Sequence, residues 1–98
     1  MIRAFRDPGT EDIFNARDSK RARRVCPTIL WIVARRKLEL LDSAGALFDL
    51  RIPPANRLES LKGGRSGQYS VRVSDQYRVC FVWTDLGPSQ DEIVDYHD

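Results

Sequence analysis

VRVSDQYRVCF, residues 71–81, decides how the second half of this chain folds, because apolar and polar side chains alternate on both sides of a short polar interruption. Alternation of this kind is typical of half-buried strands, in which side chains two residues apart share a face. We therefore predict a hairpin with strands at about residues 68–73 and 77–84.

The register of this hairpin follows from its apolar faces. The apolar side chains that share one face are Tyr69, Val71 and Val73 in the first strand and Tyr77, Val79, Phe81 and Trp83 in the second. Pairing Val71 with Val79 turns both sets toward one core, whereas a slip of one residue would turn one set outward. The connecting loop is then residues 74–76, which is a common hairpin length.

This register places Arg72 directly opposite Arg78, on the face away from the apolar set. Like charges directly across a ladder destabilise it. One interpretation is that both guanidinium groups reach water or pair with Asp75, Glu59 or Asp95. The other is that an anion binds between them, because the planar guanidinium fork suits phosphate oxygens. The hairpin alone leaves both interpretations open.

Two helices are predicted before the hairpin. Thr10 is a suitable N-cap for the first, because two acidic residues would follow it in the first turn. Pro27 suits the first position of the second helix, and Gly45 can end it. The apolar residues of this second helix recur at helical spacing: Leu30, Trp31, Ala34, Leu38 and Leu41. The polar residues 18–24 indicate a loop or a helix end.

Further strands are predicted at residues 2–5, 58–62 and 92–96. Pro53 and Pro54 exclude a central strand at that point, because proline donates no hydrogen bond to a ladder. Helices followed by a run of hairpin-connected strands predict an α+β fold. In it, two N-terminal helices pack on a mainly antiparallel, twisted sheet, and all 98 residues form a single domain.

Composition and charge narrow the class of protein. The longest apolar run, residues 29–34, is too short to cross a membrane, and the N-terminal residues lack the apolar core of a secretory signal. Cys26 and Cys80 are the only cysteines and have no metal-ligand spacing. These features predict a reduced, cytoplasmic protein with no membrane partner.

Basic residues are unevenly distributed, although the formal net charge is only +2. Clusters occur at residues 20–24 and 35–37, and five more cations lie in the second half: Arg57, Lys62, Arg65, Arg72 and Arg78. Such asymmetry indicates a polyanionic partner, although basic clusters are also common on solvated faces.

The C-terminal residues add groups that can transfer protons. Cleavage of an RNA phosphodiester needs no external nucleophile if the 2′-hydroxyl is aligned with phosphorus, but one proton must be taken and one given. His97 is the only histidine, and Asp95 can share its strand face, orient it and raise its pKa. Tyr96 can stack on a base or donate a proton. The alternative is that a histidine so near the C-terminus is idle.

Four segments together resemble the HigB toxins, the plasmid-maintenance killer branch of the RelE/ParE superfamily. They are IPPANRLESLKG at residues 52–63, GQYSVRV at 67–73, DQYRVCFVW at 75–83 and IVDYH at 93–97. The resemblance implies a compact α+β toxin held inactive by a HigA-type helix-turn-helix antitoxin. Many such toxins cut mRNA on the ribosome without a metal or other cofactor, and leave a 2′,3′-cyclic phosphate.

The resemblance also implies roles for individual residues. The family's C-terminal catalytic set matches Asp95, Tyr96 and His97. Its sheet arginines match Arg72 and Arg78, and a lysine after the proline-containing loop matches Lys62. We add Arg65 and Arg57 as candidate substrate-binding cations.

Glu59 departs from the family pattern. Some HigB enzymes place a second active-site histidine at this position. A carboxylate can act as a general base, but it is electrostatically unfavourable beside a phosphate. This departure leaves open a decayed toxin that only binds its antitoxin. A second alternative is a non-enzymatic, ParE-like inhibitor of DNA gyrase, because ParE-type relatives share this general fold and cut no RNA.

Overall fold

A computed structural model of the chain describes residues 1–96, so the predicted site residue His97 lies outside the described part. The helices are α1 (Pro8–Phe14), α2 (Lys20–Val25) and α3 (Trp31–Ser43). The strands are β1 (Glu59–Ser60), β2 (Tyr69–Arg72), β3 (Tyr77–Thr84) and β4 (Gly87–Asp95). Short 3₁₀ turns occupy Thr28–Leu30, Leu47–Arg51, Pro54–Asn56 and Gly63–Arg65. No helix in the described residues has the length and apolar character needed to cross a membrane.

Within residues 1–96, the sheet has four strands in the order β1-β2-β3-β4, and every neighbouring pair is antiparallel. This arrangement confirms the predicted α+β class. The strand predicted at residues 2–5 is reduced to an isolated parallel bridge between Phe5 and Asp91. The backbone N–H of Arg3 donates to the Pro88 carbonyl at 2.8 Å, so the N-terminal residues still follow β4.

The first helix begins earlier than predicted. Asp7 is its N-cap, since the Asp7 carboxylate accepts the Thr10 N–H at 2.7 Å, and Pro8 takes the first helical position. Thr10, the predicted cap, lies inside the helix. Its hydroxyl accepts the backbone N–H of Ile93 at 3.1 Å and so ties α1 to β4.

The segment predicted to be a loop or helix end contains α2. Ser19 caps this helix by accepting the Ala22 N–H at 3.0 Å. Arg21 donates from Nε to the buried Asp12 carboxylate at 2.5 Å, and this bond, with that from Ser19, lowers the pKa of Asp12 to about 2. The helix is therefore stabilised by a contact with α1, which hydrophobic periodicity does not reveal.

The core lies between the helices and one face of the sheet. Leu38 and Leu41 of α3 and Val79 and Phe81 of β3 are fully buried there. The second helix of the prediction begins later, at Trp31 after a 3₁₀ turn, and ends at Ser43. Because side chains alternate along β3, Arg78 projects from the opposite face, where the candidate site lies.

Candidate active site

The hairpin register is the predicted one. Val71 pairs with Val79, and Arg72 pairs with Arg78. The Ser74 hydroxyl accepts the backbone N–H of Tyr77 at 3.1 Å. This side-chain bond shapes a three-residue loop that lacks glycine. The hairpin therefore places two guanidinium groups on adjacent strands at one end of the sheet.

Arg78 is buried and held at fixed geometry. Its Nε donates to the Ser70 hydroxyl at 2.7 Å, and its Nη2 donates to the Arg57 carbonyl at 2.6 Å. The Tyr96 ring centroid lies 6.0 Å from the guanidinium carbon, within the range of a cation–π contact. Glu59 Oε1 lies 3.9 Å from Nη2, which is an ion pair but not a hydrogen bond.

Arg72 has a different environment. Its side chain is about one-third exposed and pairs with Asp75, which is almost wholly exposed. An ion pair with so exposed a carboxylate adds little stability and is easily exchanged for another anion. The two arginines therefore use separate counter-ions, as the first interpretation of the sequence expected, and Asp75 and Glu59 are among the carboxylates it named.

A cleft of about 250 Å³ opens between these side chains. Its lining residues are Arg57, Glu59, Arg72, Ser74, Asp75, Arg78 and Tyr96. Three guanidinium groups thus face two carboxylates, a hydroxyl and a phenol. Such a polar cleft with excess positive charge can bind an oxyanion and stabilise charge that develops on it. Within residues 1–96, no three histidine, cysteine or carboxylate side chains are grouped as metal ligands would be.

Of the two predicted tail residues that the structure describes, Tyr96 lines the cleft and Asp95 does not. Strand β4 ends at Asp95, and the Tyr96 N–H donates to the Gln76 carbonyl at 2.6 Å. Asp95 lies opposite Tyr77 in the ladder. Its side chain therefore projects from the sheet face opposite to the one that carries Arg78. There Asp95 accepts a hydrogen bond from Gln76 Nε2 at 3.1 Å.

Of the three predicted substrate-binding cations, one lines the cleft and two do not. Arg57 lines the cleft and is exposed, whereas Lys62 and Arg65 are not among the lining residues. Lys62 is exposed. Arg65 is partly exposed and pairs with Glu92 at 3.4 Å. These two cations lie outside the walls of the cleft.

Two features of the cleft were missed in the sequence. Ser70, which holds the Arg78 guanidinium, is fully buried. It shares the Arg72 face by alternation, so the pattern contained a signal for its position. The second is the backbone carbonyl of Arg57, presented by a left-handed residue with φ 46° and ψ 58°. Nothing in the sequence around this arginine indicates that conformation, because it is rare outside glycine and asparagine.

Comparison with protein families identifies a match over nearly the whole chain. Residues 3–97 match the HigB-like toxin family, described as the RelE-like toxin of the type II toxin–antitoxin system HigB. Toxin HigB-1 of Vibrio cholerae serotype O1 is 42% identical over 97 residues, which is 99% of this chain and 98% of that protein. An uncharacterized protein of Haemophilus influenzae is 42% identical over 57 residues, 58% of this chain and 56% of that protein.

A solved structure supports the fold. A chain of the YoeB-YefM complex from Staphylococcus aureus superposes with a TM-score of 0.60. The match covers 100% of this chain and 99% of that chain at 17% sequence identity. At this identity the similarity shows a shared α+β fold and does not transfer the roles of individual residues.

Proposed function

Because this chain belongs to the HigB-like family of RelE-like toxins from type II toxin–antitoxin systems, we propose that it is a ribosome-dependent endoribonuclease that cleaves mRNA and so inhibits translation. The observation that carries the proposal is the placement of Arg72 opposite Arg78 beside the Tyr96 ring in one polar cleft. Two guanidinium groups on adjacent strands can hold the non-bridging oxygens of one phosphodiester from two sides.

The proposed binding mode assigns different tasks to the cations. Arg78, fixed by Ser70 and the Arg57 carbonyl, stabilises charge on the scissile phosphate. Arg72 exchanges its exposed partner Asp75 for a phosphate oxygen. The Arg57 side chain contacts a flanking phosphate. Lys62 and Arg65, outside the cleft walls, contact more distant parts of the RNA or the ribosome.

The proposed reaction is an in-line displacement at phosphorus. The 2′-oxygen attacks the phosphorus, the bond to the 5′-oxygen breaks, and the products are a 2′,3′-cyclic phosphate and a 5′-hydroxyl. Glu59 accepts the proton of the 2′-hydroxyl, and His97 gives a proton to the leaving 5′-oxygen. Tyr96 stacks on a base next to the cut. Asp95, whose side chain projects to the other face of the sheet from Arg78, takes no part at the phosphate. The protein's own cations stabilise the phosphate, so the proposal requires no metal or other cofactor.

The proposal includes two macromolecular partners in the cytoplasm. The ribosome presents the mRNA in an extended form that a small cleft can reach. A HigA-type antitoxin with a helix-turn-helix domain holds the toxin inactive, as expected for a chain of this family. The solved chain of similar fold belongs to the YoeB-YefM complex, and this supports an interaction of the same kind here.

The decisive experiment is translation of a reporter mRNA on purified ribosomes, with primer extension to locate cuts. Arg78→Ala and His97→Ala should abolish the cuts that the parent makes. Arg24→Ala removes the same charge from an exposed position on α2 and should cut like the parent. If Arg78→Ala and His97→Ala cut as well as the parent, the site assignment is wrong.

Two further assays separate the competing functions. Loss of DNA gyrase supercoiling with mRNA left intact would favour a ParE-like inhibitor over the nuclease. Normal growth of cells that produce folded protein without its antitoxin would favour a decayed toxin, for which Glu59 in place of a histidine is the motivating observation.

A further inference from the structure

Asn56 lies at the centre of a hydrogen-bonded turn behind the cleft. The residue is fully buried, and its Nδ2 donates to the Leu50 carbonyl at 3.1 Å and the Ile52 carbonyl at 3.3 Å. Its Oδ1 accepts a hydrogen bond from Lys37 Nζ of α3 at 2.6 Å. Because its amide can donate and accept at the same time, Asn56 joins the loop after α3 to the helix itself.

The next residue converts this turn into a contact with the site. Arg57 adopts the left-handed conformation, which is unfavourable for a non-glycine residue and needs surrounding structure to maintain it. The Arg57 N–H donates to the Pro54 carbonyl at 3.0 Å, and its own carbonyl accepts from Arg78 Nη2 at 2.6 Å. The backbone carbonyl of Arg57 thus points at the guanidinium group of Arg78, which lines the cleft.

We infer that Asn56 and Lys37 are positioning residues for Arg78, acting through the left-handed backbone of Arg57. Neither belongs to the cleft lining, so neither contacts the scissile phosphate in the proposed binding mode. The inference rests on the proposed function for its catalytic consequence. The link itself consists of the hydrogen bond from Lys37 to Asn56, the peptide bond between Asn56 and Arg57, and the hydrogen bond from Arg78 to the Arg57 carbonyl.

Lys37 has a second property that must be separated from positioning. Burial, and then the charge of Arg72, lower the pKa of its ammonium group. The effect of Arg72 means that the two cations lie near each other, so the Lys37 charge can also attract RNA toward the Arg72 side of the cleft. Loss of charge would weaken substrate binding and raise KM, whereas misplacement of Arg78 would lower kcat because it acts on the transition state.

The test compares Lys37→Met, Lys37→Arg and Lys20→Met with the parent. Lys37→Met keeps the apolar stem but leaves Asn56 Oδ1 without its donor, and Lys37→Arg restores both donor and charge. Lys20 is exposed on α2, so Lys20→Met is the matched control for loss of one lysine. The first readout is the NMR signal of the Arg78 Nε–H and its exchange with water. Lys37→Met should shift this signal and speed its exchange, while Lys37→Arg and Lys20→Met should leave it near the parent.

The second readout is cleavage kinetics on programmed ribosomes. Lys37→Met should lower kcat about tenfold or more with little change in KM, because small displacements of a catalytic group have effects of this size. An Arg78 signal that does not move in Lys37→Met, or a change in KM alone, would overturn the positioning role. If the parent cuts no mRNA, the proposed function fails, and the Arg78 signal still decides whether Lys37 positions this side chain.

Discussion

Arg72 and Arg78 face each other across β2 and β3, yet only Arg78 is buried, with a side chain 11% exposed against 34% for Arg72. Arg78 is fixed by a hydroxyl and a backbone carbonyl, whereas Arg72 is paired with an exposed carboxylate. A guanidinium that is already oriented costs no reorganisation when charge develops on the phosphate. The two arginines should therefore contribute differently to the rate of cleavage.

Replacing each arginine by lysine tests this difference. Arg78→Lys keeps the charge but cannot reproduce both donations, and hydrogen bonds from charged groups are worth about 1.5–3 kcal/mol. We expect single-turnover cleavage on ribosomes to fall roughly 10- to 100-fold in Arg78→Lys, and only a few-fold in Arg72→Lys. Thermal unfolding of both variants provides the control for folding. Equal losses in the two variants would contradict the division of roles.

Replacing Glu59 with glutamine should strengthen RNA binding but slow cleavage. The Glu59 carboxylate is about half exposed and lies 3.9 Å from Arg78. Glu59→Gln removes a negative charge beside the phosphate site, so RNA should bind up to about 5-fold more tightly at low salt, as expected for a partly exposed ion pair. Cleavage should nevertheless fall about 100-fold or more, because a general base is lost.

RNA affinity by fluorescence anisotropy and cleavage by primer extension measure the two effects of Glu59→Gln. Glu39→Gln changes the same charge at an exposed position on α3 and should alter neither. Faster cleavage in Glu59→Gln would show that the carboxylate only opposes the substrate, and another group would then have to accept the proton.

The sheet and the arginine register were predictable because they follow from short-range alternation. Once Val71 and Val79 had to face one core, the positions of Arg72 and Arg78 were determined, and a slip would have exposed one apolar set. Side-chain identity along a strand carries this information directly, so no knowledge of the remaining chain was needed.

The features that the sequence did not reveal depend on contacts between distant residues. Helix α2 is stabilised by the bond between Arg21 and the buried Asp12, and a run of basic residues gives no sign of such a partner. The position of Asp95 depends on how β4 pairs with β3, where the pairing shifts by one residue between Cys80 and Val82. A bulge of this kind has no clear signal in the alternation pattern.

A buried carboxyl group should make the stability of the fold depend on pH. Asp91 is fully buried, and no described residue donates a hydrogen bond to either of its carboxylate oxygens. Burial and, to a smaller extent, the charge of Asp42 raise its pKa to about 7, against the lowering effect of the N-terminal ammonium. The unfolded pKa is about 3.9, so between about pH 4 and 7 the folded state binds more protons than the unfolded state.

The free energy of unfolding should therefore fall as pH rises from about 4 to about 7, by on the order of a few kcal/mol, and then stop changing through this group. Asp91→Asn keeps the shape without the titration and should remove most of this slope in urea unfolding measured across the range. The exposed Asp85→Asn is the matched control and should retain it. A parental slope that survives in Asp91→Asn would assign the pH dependence to another group.

Gly9 offers a test of how tightly α1 packs on α2. A Cβ at this position would lie 2.3 Å from Val25 Cγ2 and 2.6 Å from the Arg21 carbonyl oxygen, so backbone as well as side chain would have to shift. Overpacking of this kind costs about 1–3 kcal/mol, which exceeds the gain in helix propensity of up to about 1 kcal/mol. Gly9→Ala should therefore lower the urea midpoint. A Cβ added at Gly64 would meet open space, so the free energy of unfolding of Gly64→Ala should stay within about 0.5 kcal/mol of the parent value. Equal stability of the two variants would mean that the contact between the helices is looser than these distances indicate.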